Sequence, residues 1–392
     1  MLNFKDESIQ WAYLSIRFRV VMSKYILGLV IVLIPLIGLS IPDYPDSLST
    51  PNVVVFGDSL SDSGYYDKLP ESYSDWPTID GSIKKQPTFT TPQKLPTTWL
   101  QQLANSNKIN SAIPNNIGTP EYNISHKSVT GKLNGNIYAA GGATTVCAGI
   151  EGDYGSHISY IPPPVGSSSN KSCPMNRYNQ IDSYLNQHDG KANSKDIYII
   201  WAGANNAFML LAGTDVNDKE ARKKAVSGMQ EAAKDVIEDV HLLQEKGARK
   251  ILVLALPDLK ITPAMTENGT EPNSSTAILS SKMSTAFNNV LDSSFSERNN
   301  SMGKVLFLRD DLNFFNKIVY RKKITVDGVK YRFSNVNESS CDFGGPNSLT
   351  CLPKEKNKNY LFADTVHPTL YAQQALAGFI YANGIKLLVK ND

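Results

Sequence analysis

The residue whose setting best suits chemistry is a serine. Ser59 lies in Phe56-Gly57-Asp58-Ser59-Leu60-Ser61-Asp62-Ser63-Gly64, directly after the β-branched run Asn52-Val53-Val54-Val55-Phe56. A serine at the C-terminal end of a buried strand stands where open α/β sheets place their ligand sites. Its hydroxyl is a poor nucleophile until a base takes the proton. The candidate base is near the other end of the chain, in Asp364-Thr365-Val366-His367-Pro368. Three-residue spacing lets the Asp364 carboxylate reach Nδ1 of His367, which fixes the tautomer and leaves Nε2 to face the serine. Pro368 restricts His367 towards extended backbone and helps hold the ring.

Acyl transfer through a serine also needs donors for the oxyanion of the tetrahedral intermediate. Ala139-Ala140-Gly141-Gly142-Ala143 offers backbone N–H groups with no side chain in the way, after the strand-like Asn136 to Ala139. The Asn205 amide, in Gly203-Ala204-Asn205-Asn206, can supply another, and the N–H of Ser59 a third. Losing one such donor typically costs on the order of 10²- to 10³-fold in turnover.

Other polar residues read more plainly. His126, His157, His188 and His241 lack neighbours suited to catalysis and read as structural or exposed. Arg309-Asp310-Asp311 reads as a turn or helix start rather than a metal site, and no metal or cofactor is assigned. Asp258 is a loop residue given no role, Trp201 reads as core packing, and Asn205 or Asn206 could cap the helix that follows them.

These residues must be positioned by a sheet. Asn52–Phe56, Asp196–Trp201, Lys250–Leu256 and Lys304–Leu308 read as buried strands. Between the second and third, Asp218 to Gly247 repeats Val226, Met229, Ala233, Val236, Ile237, Val240 and Leu243 at helical spacing, with Gly247 as the stop. Ser275–Asn299 and Leu370–Leu388 read as further helices. Strands alternating with helices of this length imply a parallel sheet covered on both faces. Residues 65–136 and 148–175 read as long surface loops rich in Pro, Thr, Asn and Ser, and Ile324–Tyr331 as a hairpin turning on Asp327-Gly328. No internal repeat is apparent, and residues 41–392 are read as one catalytic domain.

The bulk properties set limits. Of 392 residues, 41% are apolar, enough for a large core, and 39 Lys plus Arg against 37 Asp plus Glu give no reason to expect nucleic acid as a partner. Tyr25–Leu39 is an apolar run preceded by Arg17, Arg19 and Lys24, with Gly38 and Ser40 as small residues at its exit, so residues 1–40 read as a secretory signal peptide, with Met22 as a plausible start. An uncleaved anchor is the alternative, but the run is short against the roughly 20 residues of a spanning helix. Export suits the four cysteines. Cys147 with Cys173 and Cys341 with Cys351 make the simplest pair of local disulfides, although four cysteines allow three connectivities. The segment Gly149–Ser172 follows the Gly141-Gly142 block closely and could form a flap over an acyl groove or a site for an activating protease; a plain surface loop is the competing reading.

Taken in order, the blocks around Ser59, Gly141, Asn205 and Asp364–His367 resemble the GDSL, or SGNH, family of lipases and esterases, over Val53 to about Thr369. Asn206 stands where that family usually has Asp. The resemblance implies a flavodoxin-like three-layer α/β/α fold with long loop insertions. It also implies Ser59 as nucleophile, His367 as base, Asp364 as its orienting acid, and Ser59, Gly141 and Asn205 around the oxyanion. The strings Phe56–Asp62 and Tyr138–Ala143 are also similar to a secreted bacterial branch of phospholipases A, lysophospholipases and glycerophospholipid:cholesterol acyltransferases. That branch implies lipid ester substrates, a sterol as acyl acceptor and transient contact with a membrane surface. The competing readings are a carbohydrate or small-ester deacetylase on the same scaffold, and a non-catalytic surface or membrane-binding protein. Secretion is the expected location, with the periplasm or a membrane anchor as alternatives.

Overall fold

Five-residue runs of β-branched and aromatic residues build the centre of the molecule. In the computed structural model, which describes residues 50–65, 90, 97–115, 135–146, 164–166, 179–266, 273–295, 299–300, 302–343, 349–352 and 359–390, β1 (Val53–Gly57), β2 (Ile197–Trp201), β3 (Lys250–Leu254) and β5 (Gly303–Leu308) pair in parallel in that spatial order. The short β4 (Asn299–Asn300) runs antiparallel beside β5 at the edge. On the opposite edge the chain at Ile137 bridges Val55 in parallel, with Tyr138 N–H donating to Val55 O at 2.8 Å. Counting that segment as the second strand, the parallel order becomes 2-1-3-4-5, the flavodoxin-like winding. The chain reverses its direction of travel across the sheet at β1, so the crevice at its C-terminal end is where Ser59 falls.

Alternation along these strands divides the core into two layers. Val53, Val55, Ile199, Leu252 and Leu308 face α1 (Trp99–Asn105), α6 (Asp310–Arg321) and α7 (Leu370–Ile380). Val54, Phe56, Tyr198, Ile200 and Val253 face α2 (Gln180–Gln187), α4 (Lys219–Glu245) and α5 (Ser275–Phe295). The architecture is therefore the three-layer α/β/α arrangement. One compact unit runs from Leu48 to Asp392. Residues 1–40, and with them the expected signal peptide, lie outside the described residues, as do Cys147 and Cys173 and all of the Gly149–Ser172 segment except Pro164–Gly166. Among the described residues no helix is long and apolar enough to cross a membrane.

The structure corrects several boundaries. The stretch read as loop from 65 to 136 contains α1, opened by a capping box in which Thr98 accepts from Gln101 N–H and the Gln101 side chain answers. The helix expected to reach Asn299 is described only to Phe295, and Asn299 and Asn300 instead pair with β5. The last helix is interrupted by a wide turn at Tyr381–Ile385, where a Cβ at Gly384 would lie 2.8 Å from Leu252. The hairpin is present as β6 (Lys323–Val326) and β7 (Val329–Arg332), with Asp327 and Gly328 both at positive φ as a two-residue turn of this hand requires. β8 (Asn335–Ser339), the β9–β10 hairpin (Cys341–Phe343 and Leu349–Cys351) and β11 (Tyr360–Phe362) lie beyond the strands the sequence pattern suggested. Cys341 and Cys351 form a disulfide across that hairpin.

One glycine has no substitute. Gly57 ends β1 at φ +154, and a Cβ there would lie 2.1 Å from the Trp201 carbonyl oxygen on β2. Gly57→Ala is expected to cost about 3 kcal/mol or more through backbone strain and overpacking. Gly213→Ala, where the added carbon would meet nothing closer than 3.8 Å, is expected to stay within about 0.5 kcal/mol of the parent. Urea unfolding of the two variants checks the contrast.

Candidate active site

Ser59 occupies the turn that leaves β1. Asp58 Oδ1 accepts the Leu60 N–H at 3.0 Å, while Ser61 and Asp62 N–H return to the Asp58 carbonyl, so the chain coils tightly around the serine. Gln180, buried on α2, grips the residue before this turn from both sides: its Oε1 accepts the Gly57 N–H at 2.8 Å and its Nε2 donates to the Gly57 carbonyl at 2.9 Å. Ser59 itself stays partly exposed.

His367 arrives on a separate piece of backbone. β11 pairs with β8, and the chain then folds back so that Ala363 N–H donates to His367 O at 2.7 Å and Thr369 N–H to Leu361 O at 2.9 Å. Thr369 caps α7 by accepting from Ala372 N–H. Within this loop Asp364 Oδ1 accepts the N–H groups of Val366 and His367 at 2.8 and 2.6 Å, and Oδ2 meets His367 Nδ1 at 2.7 Å. Nε2 of the same ring lies 2.7 Å from Ser59 Oγ. The structure thus brings Ser59, His367 and Asp364 into one unbroken line of hydrogen bonds.

Charge is concentrated around the imidazole. Burial alone would lower the His367 pKa, but the Asp364 carboxylate outweighs it, with help from Asp58 and Asp62, and holds the ring above its ordinary 6.5. Burial likewise works to raise Asp364, yet the adjacent His367 and the two backbone N–H groups keep it below the usual carboxylate range. Asp58 is different. Burial pushes it up to about 7, and its Oδ2 has no hydrogen-bond partner among the described residues. Burial also takes Asp62 to about 6, opposed by three backbone N–H groups.

The expected oxyanion donors are placed unevenly. Ala143 N–H donates to Ala140 O at 3.1 Å, closing a turn over Gly141 and Gly142, and Gly142 takes φ +83, the value that the third position of a type II turn demands. The Gly141 N–H, expected to face the oxyanion, donates instead to Asp62 Oδ2 at 2.8 Å. One N–H aimed at a carboxylate at that distance is not directed at a substrate oxygen, so the expectation for Gly141 is not what the geometry offers. Asn205 stands in the first turn of α3 (Ala204–Ala212) and donates from Nδ2 to Ala143 O at 2.9 Å, which seats its amide against the same turn. An amide nitrogen carries two hydrogens, so one remains for a ligand.

Neither asparagine caps that helix: Gly203 is the N-cap at φ +120, without a side-chain bond. Asn206 instead braces Thr145, accepting its N–H at 3.0 Å and donating to its Oγ1 at 3.1 Å, and that hydroxyl reaches Asp235. Trp201 is core, with Nε1 bonded to Ala255 O. Asp258 caps a short turn and accepts from Ser281. Sequence reasoning missed Gln180 and Asp62. Asp62 carried a readable signal, an acid two residues before Gly64 in a turn-forming string; Gln180 carried none, because its partner is backbone 123 residues away.

A parallel sheet with a serine-histidine-aspartate line at its switch point defines an α/β protein whose site is arranged as in serine hydrolases. The match to known sequences is narrower. A family model described as GDSL-like lipase/acylhydrolase matches residues 53–380, and the chain belongs to that family. It is also similar to Lipase 1 of Photorhabdus luminescens, 26% identical over 232 residues, which is 59% of this chain but 26% of that protein. The chain thus spans about a quarter of the relative's length.

Because only neutral imidazole can accept the serine proton, activity should fall as pH drops through the His367 pKa. With that pKa raised, the acid limb of kcat/KM is expected to have its midpoint above 6.5. Asp364→Asn should cut kcat by about 10⁴-fold and move the limb to lower pH, since the group that raises His367 most is gone. Rate profiles on a soluble ester between pH 5 and 9 check both directions.

Proposed function

We propose that this protein is an exported serine esterase that hydrolyses carboxylic esters of lipids, as a phospholipase A or lysophospholipase, through an acyl-Ser59 intermediate. The observation that supports it most is the line of two 2.7 Å contacts from Ser59 Oγ through His367 to Asp364. In this reading His367 Nε2 takes the serine proton as Oγ bonds to the ester carbonyl carbon. The imidazolium, stabilised by Asp364, then protonates the departing alcohol as the carbon–oxygen bond breaks. Water, deprotonated by the same nitrogen, attacks the acyl-enzyme, and the proton returns to Oγ as the fatty acid leaves. A sterol hydroxyl in place of water would give a steryl ester.

The oxyanion is held in this reading by the Ser59 N–H, the Asn205 amide and the Gly141-Gly142 turn. Within that turn the Gly141 N–H bonds to Asp62 Oδ2, so Asp62 ties the turn to the segment that carries Ser59. Family membership and the lipase relative support ester hydrolysis; the lipid head group and acyl transfer rest on the resemblance of Phe56–Asp62 and Tyr138–Ala143 to phospholipase and acyltransferase sequences. The Cys341–Cys351 disulfide is in keeping with export. Contact with a membrane surface during turnover, and activation by cleavage between Cys147 and Cys173, belong to the same reading.

The test is to incubate the mature protein and its Ser59→Ala variant with phosphatidylcholine, lysophosphatidylcholine and cholesterol, then quantify fatty acid and cholesteryl ester. Fatty acid release that falls by about 10⁵-fold or more in the variant is expected, and cholesteryl ester beside it would establish transfer. Turnover of acetylated sugars or short esters alone would favour the deacetylase reading, and no Ser59-dependent turnover of any ester would remove the enzyme reading.

A further inference from the structure

Asp62 is fully buried, and each of its carboxylate oxygens is aimed at backbone. Oδ1 accepts the N–H groups of Gly64 at 2.9 Å and Tyr65 at 2.7 Å; Oδ2 accepts that of Gly141 at 2.8 Å. Its own N–H returns to the Asp58 carbonyl at 3.0 Å, so the residue is part of the coil that carries Ser59. One side chain therefore fastens the nucleophile turn to the Gly141-Gly142 turn, two loops that lie 79 residues apart. Asn205 reaches that second turn from the other side through Ala143 O.

We propose that Asp62 is a positioning residue that holds the Gly141-Gly142 turn in register with Ser59, and so sets how well the site binds the transition state. The inference rests on the esterase reading and extends it to a residue that touches no substrate. The chemistry explains why a carboxylate is required. Three N–H groups converge on the side chain, and only a group whose two ends both accept can satisfy them. An amide of the same shape must turn its NH₂ either to Gly141 N–H or to the Gly64 and Tyr65 pair, setting donor against donor. The turn then moves away from Ser59, and a misplacement of about 1 Å at a reacting centre can cost on the order of 10²-fold in rate. The negative charge has a second effect, since it helps raise the His367 pKa.

The experiment compares wild type, Asp62→Asn, Gly141→Pro and the double variant on a short-chain p-nitrophenyl ester, with affinity for an alkyl boronic acid as transition-state mimic. Proline suits the second position of a type II turn and lacks the N–H, so Gly141→Pro deletes the same bond from the donor's side. Asp62→Asn is expected to lower kcat by about 10- to 100-fold with KM within about twofold. Boronate affinity should fall in step with kcat, and the acid limb should move to lower pH. The double variant should be no worse than the weaker single, as for two changes that break one contact. If Asp62→Asn does not accumulate as folded protein, Gly141→Pro carries the same expectations for kcat, KM and boronate affinity. A folded Asp62→Asn with kcat within twofold of wild type, or additive losses in the double variant, would overturn the inference alone. A wild type without Ser59-dependent turnover would overturn the esterase reading and this inference with it.

Discussion

Ser59 and His367 are 308 residues apart in sequence and 2.7 Å apart in space, and both ends of that contact are held by backbone. On the serine side the constraint is the closeness of Gly57 to the Trp201 carbonyl, which leaves no room for a side chain where β1 turns out of the sheet. Gln180 completes that strand end by bonding both the N–H and the carbonyl of Gly57. On the histidine side the ring is carried by a five-residue fold-back closed by the Ala363–His367 hydrogen bond. The contact depends on both supports at once, because a shift of about 1 Å at either would carry it beyond hydrogen-bonding range.

Three carboxyls, Asp58 and Asp62 buried and Asp364 partly buried, surround one imidazole, and their environments separate their roles. Asp364 receives two N–H groups and the ring itself, so it stays ionised and gives His367 its orientation. Asp62 receives three N–H groups and spends them on holding backbone. Asp58 receives one on Oδ1 and has no partner for Oδ2 among the described residues, so near neutral pH its carboxyl holds a proton part of the time. Desolvation acts on all three in the same direction; the number and kind of donors decides which of them carries charge. The field at the histidine is therefore that of one fixed anion, reinforced by two that titrate nearer neutrality.

The parts of this arrangement that were legible in the sequence are those with a local signature. β1, β2 and β3 announce themselves as short β-branched runs, α4 by its helical repeat and the Asp327-Gly328 hairpin by its turn dipeptide. Ser59 with Asp364 and His367 could be read because each sits at a strand end or within one turn of its partner. What escaped depends on distant chain. α1 hides in a Pro- and Thr-rich stretch and is visible only through its Thr98–Gln101 capping box. β8 is mostly polar and β11 only three residues long, so their pairing is fixed by tertiary contacts rather than by pattern. The direction of the Gly141 N–H could not be read at all, since two adjacent glycines give no register until the turn that contains them is placed against Asp62.

The loop bearing Asp364 and His367 has a further brace. Ser340 and Cys341 donate their N–H groups to the carbonyls of Phe362 and Ala363, at 3.0 and 2.8 Å, immediately ahead of Asp364. Those two donors belong to the hairpin that the Cys341–Cys351 disulfide closes, and Leu352 N–H returns to Ser340 O to complete it. The hairpin is too short to hold its shape by a core of its own, as isolated two-stranded ribbons generally are. The covalent link supplies that rigidity in an oxidising space. The acid-histidine loop is thus steadied by a disulfide-closed hairpin, and Ala264, whose N–H meets Thr365 O at 2.8 Å, steadies it from the β3 side. Two independent struts on a loop of five residues hold a histidine that meets a serine 308 residues away at 2.7 Å.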